Sequence, residues 1–316
     1  MEHIENYIKQ NIKSRNKLLT NIATELIESG GKRLRPALTV ISAKFGNFDR
    51  TKIVSIAAAL EVLHMATLVH DDIIDRSKLR RGKATVFEKH GPDMAVYIGD
   101  YLFTKALLML SVDVPSENMR QNMEQVAGSI KSICEGEVDQ FQDRFNLDTT
   151  VYMYLKRIKR KTAVLFAAAC ALGSHMSECS ENTVRSLYKF GLFLGMAFQI
   201  RDDINDFYLE SEDTGKSAGI DITKGVITLP VIYSLKKEKS LKDIILSFSE
   251  KNNKNLQQDV LLLGEIIRKS GGVEKSIKML DRYIDKGMGM LETLPENEHR
   301  KILEDIIKTL RVNLMV

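Results

Sequence analysis

The sequence predicts an all-α chain, and three observations carry that prediction. Apolar residues recur at helical rather than alternating spacing along most of its 316 residues. Prolines number only five, against about 5% of residues in average proteins. Strand-type alternation is nearly absent. The length gives a prior of about two domains, but no Ser/Gly linker or proline-rich joint divides the chain. The expectation is therefore a single domain over residues 1–316, with 44% apolar residues ample for a core.

Composition excludes several classes. The net charge is +4 with both signs dispersed, too mild to indicate a nucleic-acid partner. Cys134, Cys170 and Cys179 show neither zinc spacing nor a disulfide framework, which points to a reducing, cytoplasmic setting. The start, Met1-Glu2-His3-Ile4-Glu5, is polar and unlike a signal peptide. The longest apolar stretches, such as Ala163–Gly173, run about eleven residues against the roughly twenty needed to span a bilayer. No transmembrane segment is expected.

Taken in order, a glycine break opens the first loop, Ser29-Gly30-Gly31-Lys32-Arg33-Leu34-Arg35-Pro36. A helix follows, with Ile53, Ile56, Ala57, Leu60, Leu63, His64, Thr67 and Leu68 on one broad face. Arg76–Gly91 reads as a basic loop carrying Arg80, Arg81, Lys83 and Lys89. Ala163–Ala171 and Phe190–Ile200 are apolar almost all round, as buried central helices are. Leu209–Gly225 is a polar loop containing Lys216 and Lys224. Val226–Ile232 is β-prone in composition but reads as a helix with Pro230 near its start.

Chemistry concentrates in two aspartate clusters. Asp71-Asp72-Ile73-Ile74-Asp75 ends the apolar run Ile53–Val69. On a helix Asp71 and Asp75 share a face one turn apart, where like charges cost about 0.2–0.5 kcal/mol. Carboxylates at a helix C-terminus also oppose the macrodipole. The same arrangement recurs at Asp202-Asp203-Ile204-Asn205-Asp206, after Phe190–Ile200 and with Gln199 on the same face. One such cluster is an ordinary solvated helix end. Two, both on apolar helices, call for a neutralising ligand, and hard divalent cations with oxygen ligands supply it; Mg²⁺ takes one or two carboxylates plus substrate phosphates.

Lys32, Arg33, Arg35, Arg80, Arg81, Lys161, Lys216 and Lys224 flank the clusters or occupy the loops. Acids for a metal beside bases for phosphate oxygens point to a diphosphate. No nucleophile triad is present, and Gly30-Gly31-Lys32-Arg33 lacks the spacing of a nucleotide-binding P-loop. His64, seven residues before Asp71, is either a core histidine or part of this site.

These residues resemble the trans-prenyltransferase (polyprenyl diphosphate synthase) family over nearly the whole chain. Gly30–Pro36 is similar to its isopentenyl diphosphate loop, and His64–Asp75 to its first aspartate-rich motif. Arg80–Lys83, Tyr97–Leu102, Gly136-Glu137, Lys161-Thr162-Ala163 and Phe198–Asp206 follow in family order. Within the family, the wording around Asp71 most resembles the component II proteins of heptaprenyl diphosphate synthases. The resemblance implies an isoprenoid-synthase-type helical bundle around a deep central cavity, usually dimeric. It implies that Lys32, Arg35, His64 and Arg81 hold isopentenyl diphosphate. Asp71, Asp75 and Asp202 would bind Mg²⁺, about three ions per site. Arg80, Lys161, Thr162, Gln199, Lys216 and Lys224 would contact the allylic diphosphate. Asp71, Asp72, Asp75, Arg80, Lys161, Gln199 and Asp202 form the expected catalytic set. The partners implied are isopentenyl diphosphate, an allylic prenyl diphosphate, and either a second copy or a small partner chain.

In this family, aromatic side chains four and five residues before the first aspartate shorten the product. Thr67 and Ala66 stand there and are small. The expected product is medium to long, about six to eight isoprene units, each unit spanning close to one helical turn. Two rivals are weighed against this reading. A class I terpene synthase needs no second diphosphate site, so Gly30–Pro36 speaks against it. A non-catalytic prenyl-diphosphate-binding subunit would not need both aspartate clusters intact. The apolar end, Leu310–Val316, differs from the basic tails of some relatives.

Overall fold

The computed structural model describes residues 1–112, 116–208, 219–249 and 256–311. In chain order the elements are α1 (Glu2–Asn11), α2 (Lys17–Glu28), α3 (Leu34–Ala43), α4 (Arg50–Ile74), β1 (Leu79–Arg80), β2 (Lys83–Ala84), α5 (Val86–Val112), α6 (Ser116–Gln142) and α7 (Val151–Ile158). A π-helical turn (Lys159–Ala163) leads into α8 (Val164–Met176) and α9 (Glu181–Tyr208). Then come α10 (Ile220–Thr223), α11 (Leu229–Leu235), α12 (Leu241–Ser247), α13 (Leu256–Lys269), α14 (Gly272–Leu291) and α15 (Glu298–Lys308). Among the described residues the sole sheet is the two-residue pairing of β1 with β2, so the fold is all-α as expected.

The contacts group into two compact units, Met1–Ala127 with Ala168–Tyr188, and Gly128–Ala167 with Lys189–Val316. The first is built on α4. Asp49 caps its N-terminus, accepting from the backbone N–H groups of Thr51 and Lys52 at 2.9 and 3.4 Å. Burial extends well beyond the single face read from spacing: Ala58, Ala59 and Val62 are as buried as Ile56 and Leu60. The three consecutive alanines, Ala57–Ala59, let neighbouring helices approach from several sides. Ser55 donates to the Met109 carbonyl of α5 at 2.8 Å. Gly91, at φ 83°, breaks α5, and Pro92 restarts it.

The second unit is built on the C-terminal part of α9. Phe190, Leu194, Ala197 and Ile200 are buried along it. Gly195 allows a close approach: a Cβ there would stand 2.6 Å from Ala163 Cα in the π-helical turn. Four residues on, on the same face of α9, Gln199 meets Thr162 of the turn, and four further on Asp203 meets Tyr154 of α7.

Three expectations are adjusted. Residues 226–228 are not helical; α11 starts at Leu229 with Pro230 in its first turn, because Thr228 is extended (φ −96°, ψ 172°). Arg76–Gly91 is not merely a loop but contains the β1–β2 hairpin and the start of α5. Two helices, Arg50–Ile74 and Val86–Ser111, are long and apolar enough by length and composition to cross a membrane, longer than the eleven-residue runs in the sequence suggest. The Arg50–Ile74 window is 72% buried, as in a core helix, and the other 39%.

Candidate active site

In the first unit, the apolar run of α4 delivers Asp71 and Asp72 to its last turn and makes Asp75 its C-cap. The hairpin then folds back on them. Arg81 (φ 52°) and Gly82 (φ 75°) both take the left-handed conformation between Arg80 and Lys83, as a tight two-residue hairpin turn requires. Arg80 on β1 is thereby aimed at Asp72, with its Nε 3.0 Å and its Nη2 2.9 Å from Oδ1. Arg81 Nη1 donates to the Gly30 carbonyl. Gly31 makes room for that guanidinium, since a Cβ there would lie 2.6 Å from Arg81 Nη1.

The loop before α3 divides its cations. Lys32 is exposed. Arg33, at φ 46°, turns inward and donates to Glu61 Oε1 at 2.7 Å, to Glu5 Oε1 at 3.2 Å and to the Ile27 carbonyl at 2.5 Å. Arg35, in the first turn of α3, is pushed down to about 10 by burial, with Glu61 opposing. His64, one turn after Glu61, is held well below the ordinary imidazole range, first by burial and then by Arg35, Arg80, Arg81 and Arg33. Its ring is neutral at neutral pH. Ala66 is buried, and Thr67 donates to its own helix at the His64 carbonyl, 2.8 Å away.

In the second unit, Lys161 and Thr162 lie on the π-helical turn, a distortion that often marks functional positions. Lys161 Nζ lies 2.7 Å from Glu137 Oε1. Gly136 lets α6 approach: a Cβ there would meet Lys161 N at 2.9 Å. Thr162 donates to Gln199 Oε1 at 2.8 Å, Gln199 Nε2 donates to Asp203 Oδ1 at 2.8 Å, and the Tyr154 hydroxyl donates to Asp203 Oδ2 at 2.7 Å. Burial pushes Asp203 up to about 7, with its hydrogen bonds from Tyr154 and Gln199 opposing. Asp206 is also pushed up to about 7, first by burial and then by the charge of Asp221. Asp202 is exposed on the same helix. Lys224 is the C-cap of α10, and Lys216 lies outside the described residues.

Several expected residues are thus brought together: Arg80 with Asp72, Arg81 with the Gly30–Gly31 turn, and Thr162 with Gln199. The sequence alone gives four participants no role, and three of them, Glu5, Glu61 and Tyr154, lie in no motif. Glu5 and Glu61 hold Arg33, and Tyr154 and Asp203 hold Gln199. Asp203 belongs to the second aspartate cluster, which is the signal that could have found it.

The donor set fits Mg²⁺. Among the described residues no group of three or more histidine, cysteine, aspartate or glutamate side chains is placed to hold a metal. An ion bound here would therefore need oxygens from a ligand and from water as well, which Mg²⁺ takes beside one or two carboxylates. Asp206 Oδ2 is buried and has no hydrogen-bond partner among the described residues, a site where nearby positive charge is stabilising.

Comparison with known proteins agrees with this chemistry. The family model described as "Polyprenyl synthetase" matches residues 16–262. The heptaprenyl diphosphate synthase component 2 of Geobacillus stearothermophilus is 38% identical over 303 residues, covering 96% of this chain and 92% of the relative. The solved heptaprenyl diphosphate synthase of Staphylococcus aureus superposes with a TM-score of 0.89 at 33% identity, over 98% of this chain and 96% of that one. A polyprenyl synthase from Caulobacter crescentus, solved with calcium and isoprenyl diphosphate, gives a TM-score of 0.89 at 32% identity, over 98% and 94%.

Proposed function

The chain belongs to the polyprenyl synthetase family, and from that premise we propose how its own residues carry the reaction. It is a prenyltransferase that makes polyprenyl diphosphates of medium-to-long chain. One observation carries the assignment of residues. Each unit presents aspartates at the C-terminal part of a long apolar helix, with basic or hydrogen-bonding side chains packed beside them.

In the reaction the allylic C–O bond breaks and the diphosphate leaves with the electron pair. The π-bond of isopentenyl diphosphate forms the new C–C bond, and a proton is lost to the departing diphosphate. Lys32, Arg35, His64 and Arg81 hold isopentenyl diphosphate. His64, neutral, does so as a hydrogen-bond donor. Lys161, Thr162, Gln199, Lys216 and Lys224 hold the allylic diphosphate, with Arg80 steadied by Asp72. Family members use a divalent metal; Mg²⁺, held by Asp71, Asp75 and Asp202, about three ions per site, would supply Lewis-acid stabilisation of the leaving group. Residues 1–316 act as one polyprenyl synthase domain. Ala66 and Thr67, both small, leave room for a product of about six to eight units.

The relative's name, component 2, favours a second chain as a functional partner over a self-sufficient homodimer. The test is an assay of the purified chain alone with farnesyl diphosphate, labelled isopentenyl diphosphate and Mg²⁺. A discrete long product establishes a self-sufficient synthase. No product with Mg²⁺-dependent diphosphate binding retained establishes a need for the partner, and loss of both overturns the site assignment.

A further inference from the structure

The second unit holds a chain of hydrogen bonds that runs from the core to a residue assigned to the allylic diphosphate. Tyr154, on α7, is 0% exposed, and Asp203 is 4% exposed. The tyrosine hydroxyl donates to one oxygen of Asp203 at 2.7 Å, and Gln199 Nε2 donates to the other at 2.8 Å. Gln199 Oε1 in turn receives the Thr162 hydroxyl at 2.8 Å. The order matters because a carboxamide has unlike ends. With its nitrogen toward Asp203, Gln199 must show its oxygen to Thr162. One amide N–H remains for another acceptor. Were the carboxamide turned over, its nitrogen would face Thr162 and its oxygen would face the carboxyl group.

Nothing within Gln199 itself chooses between the two orientations. Asp203 chooses, provided the oxygen facing Gln199 acts as an acceptor. Tyr154 secures this by occupying the opposite oxygen with a donated hydrogen bond. Its ring is fixed in turn by Arg157, whose guanidinium lies 5.7 Å from the ring centroid and donates to the Ile227 carbonyl at 2.6 Å. We propose that Tyr154 is a positioning residue for the allylic diphosphate: acting through Asp203, it fixes the orientation of the Gln199 carboxamide and so the hydrogen-bonding groups that Gln199 and Thr162 present to the ligand. The proposal rests on the prenyltransferase reading above.

Tyr154→Phe keeps the ring and removes the donor. In the full chain, with its partner chain if the assay requires one, the KM for farnesyl diphosphate rises about tenfold, the scale of one hydrogen bond to a charged group. The KM for isopentenyl diphosphate stays unchanged. In a Gln199→Met background the Tyr154→Phe effect on the allylic KM disappears, because the residue through which it acts is gone. Asp203→Asn, a second variant should Tyr154→Phe fold poorly, shows the same selective rise. Equal changes in both KM values, no change in either, or additivity with Gln199→Met overturns the proposal. A wild-type chain that neither turns over nor binds prenyl diphosphates overturns the prenyltransferase reading instead.

Discussion

Arg80 grips Asp72 through three contacts, with Nε 3.0 and 3.1 Å from the two carboxylate oxygens and Nη2 2.9 Å from Oδ1. The Asp72 side chain is 8% exposed and that of Arg80 39%. The middle aspartate of the first cluster therefore anchors the hairpin, which in turn sets Arg81 over the Gly30 turn. This separates its role from those of its neighbours. Asp72→Asn should cost about 1–2 kcal/mol of stability, a charge-assisted bond discounted for the solvent around Arg80. It should leave Mg²⁺-dependent diphosphate binding in place. Asp71→Asn and Asp75→Asn, at the proposed metal ligands, should instead weaken Mg²⁺-dependent diphosphate binding and lower kcat by at least about 100-fold. Urea titration and diphosphate binding on all three variants check the division; identical behaviour would remove it.

Metal dependence should be visible without turnover. A ligand that binds only the folded chain stabilises it by about 2.7 kcal/mol at one hundred times its dissociation constant. Inorganic diphosphate with Mg²⁺ should therefore raise Tm by several degrees. Diphosphate with EDTA should not, since the carboxylates would face the anion without a cation between them. Thermal melts of the wild-type chain under the two conditions are the check. An equal rise in both would mean that Arg and Lys alone hold the anion.

The long helices and both aspartate clusters were legible because they depend on local spacing. The run Ile53–Val69 and the cluster that ends it lie on one helix, and periodicity reports a single helix well. What stayed hidden depends on partners far along the chain. Nothing near Arg33 distinguishes it from Lys32 or Arg35. It is turned from the site by Glu5 and Glu61, each 28 residues away. Tyr154 reaches Asp203 across 49 residues. The hairpin is hidden for another reason. Its two strands are two residues each, too short for alternation to register, and its turn places an arginine where glycine or asparagine is usual.

Acid should weaken the fold through His64. Its folded pKa lies below the unfolded value of about 6.5, because burial and four arginines oppose the charged ring. Between those two values the unfolded chain binds more protons, so stability rises with pH there and is lost as pH falls below about 6.5. His64→Gln removes this contribution. The Tm advantage of wild type over His64→Gln should be constant above pH 7.5 and shrink as pH falls toward 5.5. Paired melts across that range test it, and a gap that widens in acid would mean that the ring is charged in the fold.

Chain length should respond to Ala66. The residue is 1% exposed on α4, one turn before His70 and five residues before Asp71. Ala66→Phe adds an aromatic ring about 7.5 Å along the helix axis from Asp71, at about 1.5 Å per residue. Placing it in a packed core costs about 1–3 kcal/mol, which a chain of this size tolerates if the ring finds open volume. A ring that enters the path of the growing chain stops elongation early, because each further isoprene unit would need the space it occupies. Products of Ala66→Phe should therefore be shorter than wild type by at least one isoprene unit, with Thr67→Phe acting in the same direction from the half-buried neighbouring position. Resolving the products by chain length reads this directly. A lower yield at unchanged length would mean that the ring disturbs the core without entering the product's path, and Ala66 would lose its place among the residues that set product length.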